Sequence, residues 1–375
     1  MAPNPDVCIR GAGIVGRTLA LLLARAGLHV ALVAPAERNS ATTDVRAYSI
    51  GAGGKALLEG LRCWPAEAHA TPVLAMQVQG DRNGAVHFNA VRQGLEALNW
   101  IVDVPELERL LRTAVDYQGA IDVVAAPVAT PLTVVCEGRA SATRAELGIE
   151  FSTVPYAQRA IATRLDCERP HQQIARQWFG AEGDVLAFLP LAGANSKAVA
   201  VVWSAPTEQA IEADGWDDAA LAAKLHDLSQ DALGALAVQG ARGTWPLELA
   251  EATRWIGRVP GREDASFALA GDAAHALHPL AGLGLNLGLG DAAELARVLA
   301  ARERWRSLSD RHVLRRYERA RRNVWLRTRL ATDGLQRLFA HPAPAVTSVR
   351  NWGLQWFDRC APAKTWAVRL ATRTV

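Results

Sequence analysis

The chain has 375 residues, half of them apolar, and 41 Lys+Arg against 38 Asp+Glu leave a net charge of +3. Such a length suits one large or two interleaved domains around a sizeable core. No stretch reaches the roughly 18–20 apolar residues of a membrane span, and the opening MAPNPDVCIRGAG lacks the basic start and apolar run of a signal peptide.

Residues 6–10 (DVCIR) read as a buried first strand that ends at glycine. A helix follows through Leu19 to Ala26, with Gly27 at the left-handed stop position. His29 to Val33 is a second strand, so the chain opens as a βαβ unit. Ala47 to Leu61 passes from strand to glycine-rich turn to helix. Residues 71–92 alternate apolar and polar around Asn83-Gly84, a hairpin signal. Pro105 to Val115 predicts a helix with Asp103 or Val104 near its cap, and PLTVVCEG is a further strand. Between 150 and 250, strands over Ala160–Leu165, Val185–Leu191 and Ala198–Trp203 alternate with loops, and one helix is expected over Ala219 to Leu236. Residues 266–300 return to strand, loop and helix. Leu308 to about Arg373 reads as mainly helical, broken at His341–Pro344 and Ala361–Pro362, and no tandem repeat is present.

Cys8, Cys63, Cys136, Cys167 and Cys360 are scattered without CxxC spacing. That argues against a disulfide framework or a zinc site and fits small buried hydrophobes in a reducing cytoplasm. Charge is uneven. Residues 301–375 carry 17 Lys+Arg and 5 Asp+Glu, whereas the first 300 residues carry 24 and 33. A basic end of this kind meets either an anionic neighbour or solvent, and patterning alone does not choose between them.

Three motifs carry chemistry. The first is Gly11-x-Gly13-x-x-Gly16, after a strand and before a helix. Gly11 permits the tight turn, Gly13 lets backbone approach a pyrophosphate, and Gly16 lets helix pack on strand, while the helix start supplies free N–H groups. The second, VVCEGRASATR, ends a strand at an acid-glycine pair and continues as a basic loop. The third spans Ala268 to Leu299. A strand delivers Gly271-Asp272, whose carboxylate can accept from a pair of sugar hydroxyls. A glycine-rich loop from Pro279 to Gly284 then leads into a helix near Asn286, which turns backbone N–H groups toward a flat ring gaining negative charge.

In this order the three resemble the flavin-dependent aromatic hydroxylases with the para-hydroxybenzoate-hydroxylase fold and, more narrowly, the ubiquinone-biosynthesis hydroxylase family. The narrower match rests on DVRAYSIGAGGKALLEGL (44–61), on YAQRAIATRL, ARQWF, GDVLAFLPL and VVWS within 156–204, on GDAAHALHPLAGLGLNLGLGD, and on the tail blocks RRYERARRN, TDGLQRLF and VRNWGLQWFDRCAPAK. It covers nearly the whole chain. The resemblance implies that Gly11, Ala12, Gly13, Ile14, Val15 and Gly16 seat the pyrophosphate of FAD, and that Arg46 lies near its phosphate or ribityl region. Gly271 and Asp272 would hold the ribityl chain, and Pro279, Gly282, Leu283, Gly284, Leu285 and Asn286 would contact the isoalloxazine. His278 and Pro279 are the candidates beside the reacting atoms. NAD(P)H would act as transient reductant, oxygen would add at flavin C4a, and one oxygen atom would pass to an electron-rich ring. A metal is not implied: His275 and His278 lack a third ligand nearby.

The expected fold class is therefore α/β. A discontinuous Rossmann-like FAD-binding domain (1–70, 93–150, 258–300) would carry an inserted, mostly antiparallel β-sheet substrate domain (71–92, 151–257) and a C-terminal helical region (301–375). Trp178, Trp203 and Leu189 fall in the substrate domain, where they either line an apolar pocket or pack the core. Trp352, Leu354, Trp356, Phe357 and Trp366, mixed with Arg350, Arg359, Lys364 and Arg369, suit either an anionic membrane surface or a buried helix with a basic outer face. The implied partners are an aromatic, prenylated small molecule, molecular oxygen, and a peripheral membrane surface or biosynthetic complex reached through the basic end; nucleic acid is not among them. Three positions depart from the family pattern: Ala34 where an acid usually holds the adenosine ribose, Glu137 for aspartate in the acid-glycine pair, and Leu283 where glutamine is common. A lost charge-assisted bond to ribose costs roughly 1.5–3 kcal/mol, so loosely held FAD is expected, with Glu37 or nearby backbone as substitute partner. A non-catalytic paralogue serving as scaffold or lipid-binding subunit, and a hydroxylase of another aromatic metabolite, stay open as alternatives.

Overall fold

A computed structural model describes residues 4–34, 44–80, 84–180, 183–277 and 282–340. Its strands in chain order are β1 Val7–Arg10, β2 Val30–Val33, β3 Ala47–Ile50, β4 Ala70–Val73, β5 Ala75–Gln79, β6 Ala85–Asn89, β7 Asn99–Asp103, β8 Ile121–Val124 and β9 Leu132–Val135. There follow β10 Phe151–Cys167, β11 Ile174–Phe179, β12 Val185–Pro190, β13 Ala198–Pro206, β14 Leu236–Ala252, β15 Ile256–Val259, β16 Arg262–Leu269 and β17 His275–Ala276. The helices are α1 Ile14–Arg25, α2 Ala52–Gly60, α3 Val104–Asp116, α4 Ala142–Glu146, α5 Thr207–Asp214, α6 Asp218–Leu228, α7 Leu283–Ala300 and α8 Arg311–Ala340.

Short apolar strands such as VCIR, VALV and LTVV are buried on both faces, which is the pattern of a parallel sheet covered by helices. They form a six-stranded sheet in the order β15-β16-β9-β1-β2-β8, parallel except for the edge strand β15. Register aligns Arg10 with Val33 and Val135, and Val135 with Leu269, so the carboxyl ends of β1, β2, β9 and β16 share one edge. Ligands of such sheets bind at that edge. Leu19 and Leu23 of α1, Leu107 and Leu111 of α3, Leu289 and Leu295 of α7, and Tyr317 of α8 fill the core around it. The Tyr317 hydroxyl donates to the Leu269 carbonyl at 2.7 Å and ties α8 to β16.

The second sheet has eight strands in the order β17-β14-β10-β13-β12-β11-β5-β6, antiparallel except between β11 and β5. Side-chain alternation gives it two different faces. Ile161, Leu165, Val199, Val201 and Trp203 pack beneath Ala210, Ala213, Leu221 and Leu225 of α5 and α6. Ala175, Leu191 and Ala200 look the other way, against Val73 and Ile101 of a small sheet ordered β3-β7-β4.

Three local expectations change. The single helix over Ala219–Leu236 is α6, which runs only from Asp218 to Leu228: Gln230 and Asp231 take left-handed backbone, and Leu236 already opens β14. Strand β4 straddles the expected boundary at residue 71 and pairs with β7, so only β5 and β6 of segment 71–92 join the large sheet. Asp103 caps α3 by position only: its carboxylate pairs with Arg164 of β10 and with His69 at 3.3 Å. Cys8, Cys63, Cys136 and Cys167 are buried free thiols; Cys360 and the aromatic-basic tail lie outside the described residues.

Candidate active site

The first glycine turn lies at the carboxyl edge of the parallel sheet. Gly11 has φ +111°, and a Cβ there would lie 2.5 Å from the Cys136 carbonyl oxygen. A Cβ on Gly16 would overlap the Gly11 carbonyl, so both positions require glycine for packing alone. Gly13 differs: it is exposed and a Cβ there would meet nothing within 4 Å. It is also the N-cap of α1 and supplies no side-chain cap, which leaves the first-turn N–H groups free for an anion. Ala12 and Val15 are half-buried and Ile14 is buried. Val15 serves a second purpose, since a Cβ on Gly288 of α7 would lie 2.7 Å from its Cγ2 and one on Gly271 would lie 3.3 Å away. Val15 thus wedges α1 against α7 and the Gly271 turn.

At the end of β2, Ala34 donates its N–H to the Val124 carbonyl and offers no acid; Glu37 lies outside the described residues. Glu137, at the end of β9, is fully engaged in local structure. It accepts from Ser141 Oγ at 2.7 Å, Thr143 Oγ1 at 2.6 Å and Thr143 N–H at 3.0 Å, with Arg10 Nε at 3.4 Å. Burial pushes its carboxyl up, and these bonds more than reverse that, holding it below the usual range. Arg144, from the same motif, is buried, stacks on Phe151 and donates to the Ala273 carbonyl at 3.2 Å, tying the second motif to the third.

Gly271 takes φ +62° and turns Asp272 outward. The Asp272 carboxylate is solvent-exposed yet closely surrounded by protein, and it has no hydrogen-bond partner among the described residues. Burial pushes this carboxyl above its ordinary value and Asp291 adds to the effect, against His275, Arg139 and Arg46. A carboxylate left without a protein partner can accept hydroxyl donors from a ligand. Arg46 reaches the cleft beside Asp272 from the flank of β3, held by Asp44 at 2.6 Å with Glu108 at 3.9 Å. Tyr48 shares it: burial raises its hydroxyl, Arg46 opposes and Asp272 adds.

Helix α7 starts at Leu283, three residues earlier than expected, so Gly284, Gly288 and Gly290 are helical and only Gly282 remains in the described loop. Gly282 caps the helix with φ +61° and no side-chain cap, and a Cβ there would lie 2.9 Å from Ser49 Cβ. Leu283, Gly284 and Leu285 present first-turn N–H groups. Asn286 commits its side chain to backbone: Nδ2 donates to Ser49 O at 2.7 Å and Gly282 O at 3.2 Å, and Oδ1 accepts from Gly51 N–H at 2.9 Å. It fixes the helix start against β3 and α2. His278 and Pro279 lie outside the described residues.

One cluster behind the cleft was missed from sequence. Asp291 is fully buried in α7 and accepts from Gly271 N–H at 2.9 Å, His275 Nε2 at 2.7 Å and Arg321 Nε at 2.7 Å. Burial pushes its carboxyl up, but His275 and Arg321 outweigh this and hold it low. The His275 ring lies between Trp255 and Trp325, at centroid distances of 4.9 and 4.8 Å. An acid inside an apolar helix (LGLNLGLGDAAEL) was the available signal. Among the described residues no group of three or more His, Cys, Asp or Glu could hold a metal.

Trp178 and Trp203 belong to core packing. Trp203 is fully buried and stacks on Trp216 at 6.3 Å, and Trp178 meets the Phe188 edge at 5.1 Å, both on the face covered by α5 and α6. Leu189 looks the other way, beside Ala198, Met76 and Ala47. A surface cavity of about 400 Å³, lined by Met76, His87, Phe88 and Arg92 among others, lies on the outer β5–β6 hairpin, and none of the cleft residues lines it.

The uncapped α1 start with open space at Gly13, the unpartnered Asp272 and the uncapped α7 start leave two sets of free N–H groups and one free carboxylate for a ligand. Residues 122–329 match the model of the FAD binding domain. The chain is 30% identical to ubiquinone hydroxylase UbiL of Rhodospirillum rubrum, over 99% of its own length and 90% of that protein. It is 27% identical to 3-demethoxyubiquinol 3-hydroxylase of Escherichia coli, over 98% of both. In fold it is similar to p-nitrophenol 4-monooxygenase PnpA from Pseudomonas putida DLL-E4, with a TM-score of 0.76 at 17% identity over 99% of both chains. The chain belongs to the FAD binding domain family and is an FAD-dependent monooxygenase of the group that includes the ubiquinone hydroxylases.

Proposed function

We propose that this monooxygenase hydroxylates the phenolic ring of a prenylated ubiquinone precursor, with NAD(P)H as transient reductant. The observation that carries this reading is the gathering of Arg46, Tyr48, Asp272 and the uncapped α7 start at one cleft, in a chain alike to UbiL from end to end. Bound FAD would supply hydride acceptance and oxygen activation. The protein's share is placement and electrostatics. The α1 start would neutralise the pyrophosphate, Asp272 would accept from ribityl hydroxyls, and Arg46 would sit beside the phosphates. N–H groups of Leu283, Gly284 and Leu285 would stabilise negative charge on the ring edge nearest α7. The face of the large sheet that turns toward β3 would cover the bound ring and limit water at the reacting atoms.

The site of action we propose is an anionic membrane surface, where an apolar quinone precursor resides. Arg311, Arg315, Arg319 and Arg327 are exposed along α8, as are Leu326 and Leu330. No described helix is long and apolar enough to cross a membrane. Flotation with phosphatidylglycerol vesicles should retain the protein at low salt and release it at high salt; no retention at low salt contradicts the membrane part alone. For the activity, FAD-reconstituted protein should consume NADH or NADPH with 2-farnesylphenol and yield a product with one added oxygen by mass spectrometry. FAD binding without any oxygenated phenol contradicts the substrate assignment.

A further inference from the structure

Strand β14 carries a tryptophan that no core claims. Its side-chain direction follows from its neighbours. Arg242 donates to the carbonyl of Trp216 at 2.6 Å, and Thr244 Oγ1 donates to Asp214 Oδ1 at 3.0 Å, both on the face covered by α5 and α6. Gly243 and Trp245 therefore point to the opposite face. The ladder agrees: Trp245 stands opposite Ala160, which faces Ser204, and Gly243 stands opposite Ala162, which faces Val202. Arg164, two residues beyond Ala162 on the same face, bridges to Asp103 and to the Val45 carbonyl beside Asp44 and Arg46. At the other end of β14, Ala250 pairs with Ala276, four residues after Asp272. Trp245 thus lies on the sheet face turned toward the Asp44–Arg46 flank, between that flank and the Gly271–Ala276 segment.

Its surroundings leave one surface open. A Cβ on Gly243 would lie 3.2 Å from indole Cζ3, so the ring folds back over Gly243. Its nearest neighbours on that face are small: Ala160, Ala162, Val202 and Ser204. Trp245 is half-buried, and among the described residues no aromatic ring stacks on it and its indole N–H has no partner. A large flat side chain held over a glycine, with small nearest neighbours, suits a planar ring by offset or edge contact.

We propose that Trp245 is the platform for the aromatic ring of the substrate and sets its affinity. This rests on the hydroxylase reading above. Binding of 2-farnesylphenol to FAD-loaded protein is measured by the flavin difference spectrum, alongside KM and kcat. Trp245→Leu should raise both Kd and KM by roughly three- to tenfold, as the loss of one aromatic contact implies, with FAD affinity and melting temperature unchanged. Trp245→Phe should stay within about twofold of wild type. Gly243→Val, which keeps the indole but displaces it, should reproduce the leucine variant and carries the test with Trp245→Phe where Trp245→Leu fails to fold. Unchanged Kd in FAD-loaded Trp245→Leu and Gly243→Val, with wild type turning the phenol over, overturns the platform alone. Wild type that holds FAD but neither binds nor oxidises the phenol overturns the hydroxylase reading and the platform together.

Discussion

The two helix starts proposed to face the cofactor, α1 and α7, look alike and are built differently. Each has a glycine N-cap without a side-chain cap. At α1 the glycine requirements are mostly local: Gly16 is forced by Gly11 five residues earlier, and from afar Gly11 is forced by the backbone at Cys136, just past β9. At α7 they come from across the chain. Gly282 is forced by Ser49, Gly288 by Val15, and the first turn is held by an Asn286 amide that binds Ser49 and Gly51 more than 230 residues away. A local device can be read from spacing. A device assembled from distant segments shows its logic only when they meet.

Breaking the long-range side should give the largest effect. Asp291→Asn leaves buried His275 and Arg321 without their carboxylate and should cost about 3–5 kcal/mol in urea unfolding. It should also change the acid limb. The folded-state carboxyl of Asp291 is held low, so its stabilisation is present above the ordinary aspartate range and lost as pH falls through the folded value. The variant should lack that part of the acid transition; an unchanged acid transition in wild type and variant would contradict the network. Gly16→Ala, which forces overlap with the Gly11 carbonyl, should cost about 3 kcal/mol.

Gly13→Ala sharpens the comparison, because its Cβ would enter the open space proposed above for the pyrophosphate. Stability should stay within about 0.5 kcal/mol of wild type, while FAD affinity falls at least roughly tenfold. Equal losses of stability in the Gly13 and Gly16 variants would show that the turn is structural throughout. Smallest is the effect of Asp272→Asn on the FAD-free protein. Its carboxyl is raised, so the favourable contribution exists at low pH and is lost as pH rises through the folded value. The asparagine variant should therefore melt slightly higher than wild type at neutral pH, yet bind FAD more weakly. A lower melting temperature would place Asp272 in the supporting structure.

This contrast marks what was legible. The βαβ opening, the Gly27 stop, the β3–α2 turn and the antiparallel second layer follow from patterns within about 20 residues, and the structure has them. The break after Leu228 was missed because left-handed Gln230 and Asp231 carry no glycine signal. Asn286 was read as a cofactor contact, and its backbone clamp depends on Ser49 and Gly51. Trp178 and Trp203 were singled out by residue type, while strand parity, visible only with the ladder, sends them to the helix-covered face and Trp245 to the opposite one. Glu137, read as a departure from a cofactor acid, is consumed by Ser141 and Thr143 four to six residues on.

The central claim is that the cleft between these two helix starts holds FAD. A titration of the purified, flavin-free protein with FAD, followed by visible absorbance, tests it most directly. The account predicts a saturable shift and sharpening of the flavin bands at one FAD per chain, weakened in Gly13→Ala at unchanged fold. A flavin spectrum that stays that of free FAD throughout the titration, with correctly folded protein, would contradict it.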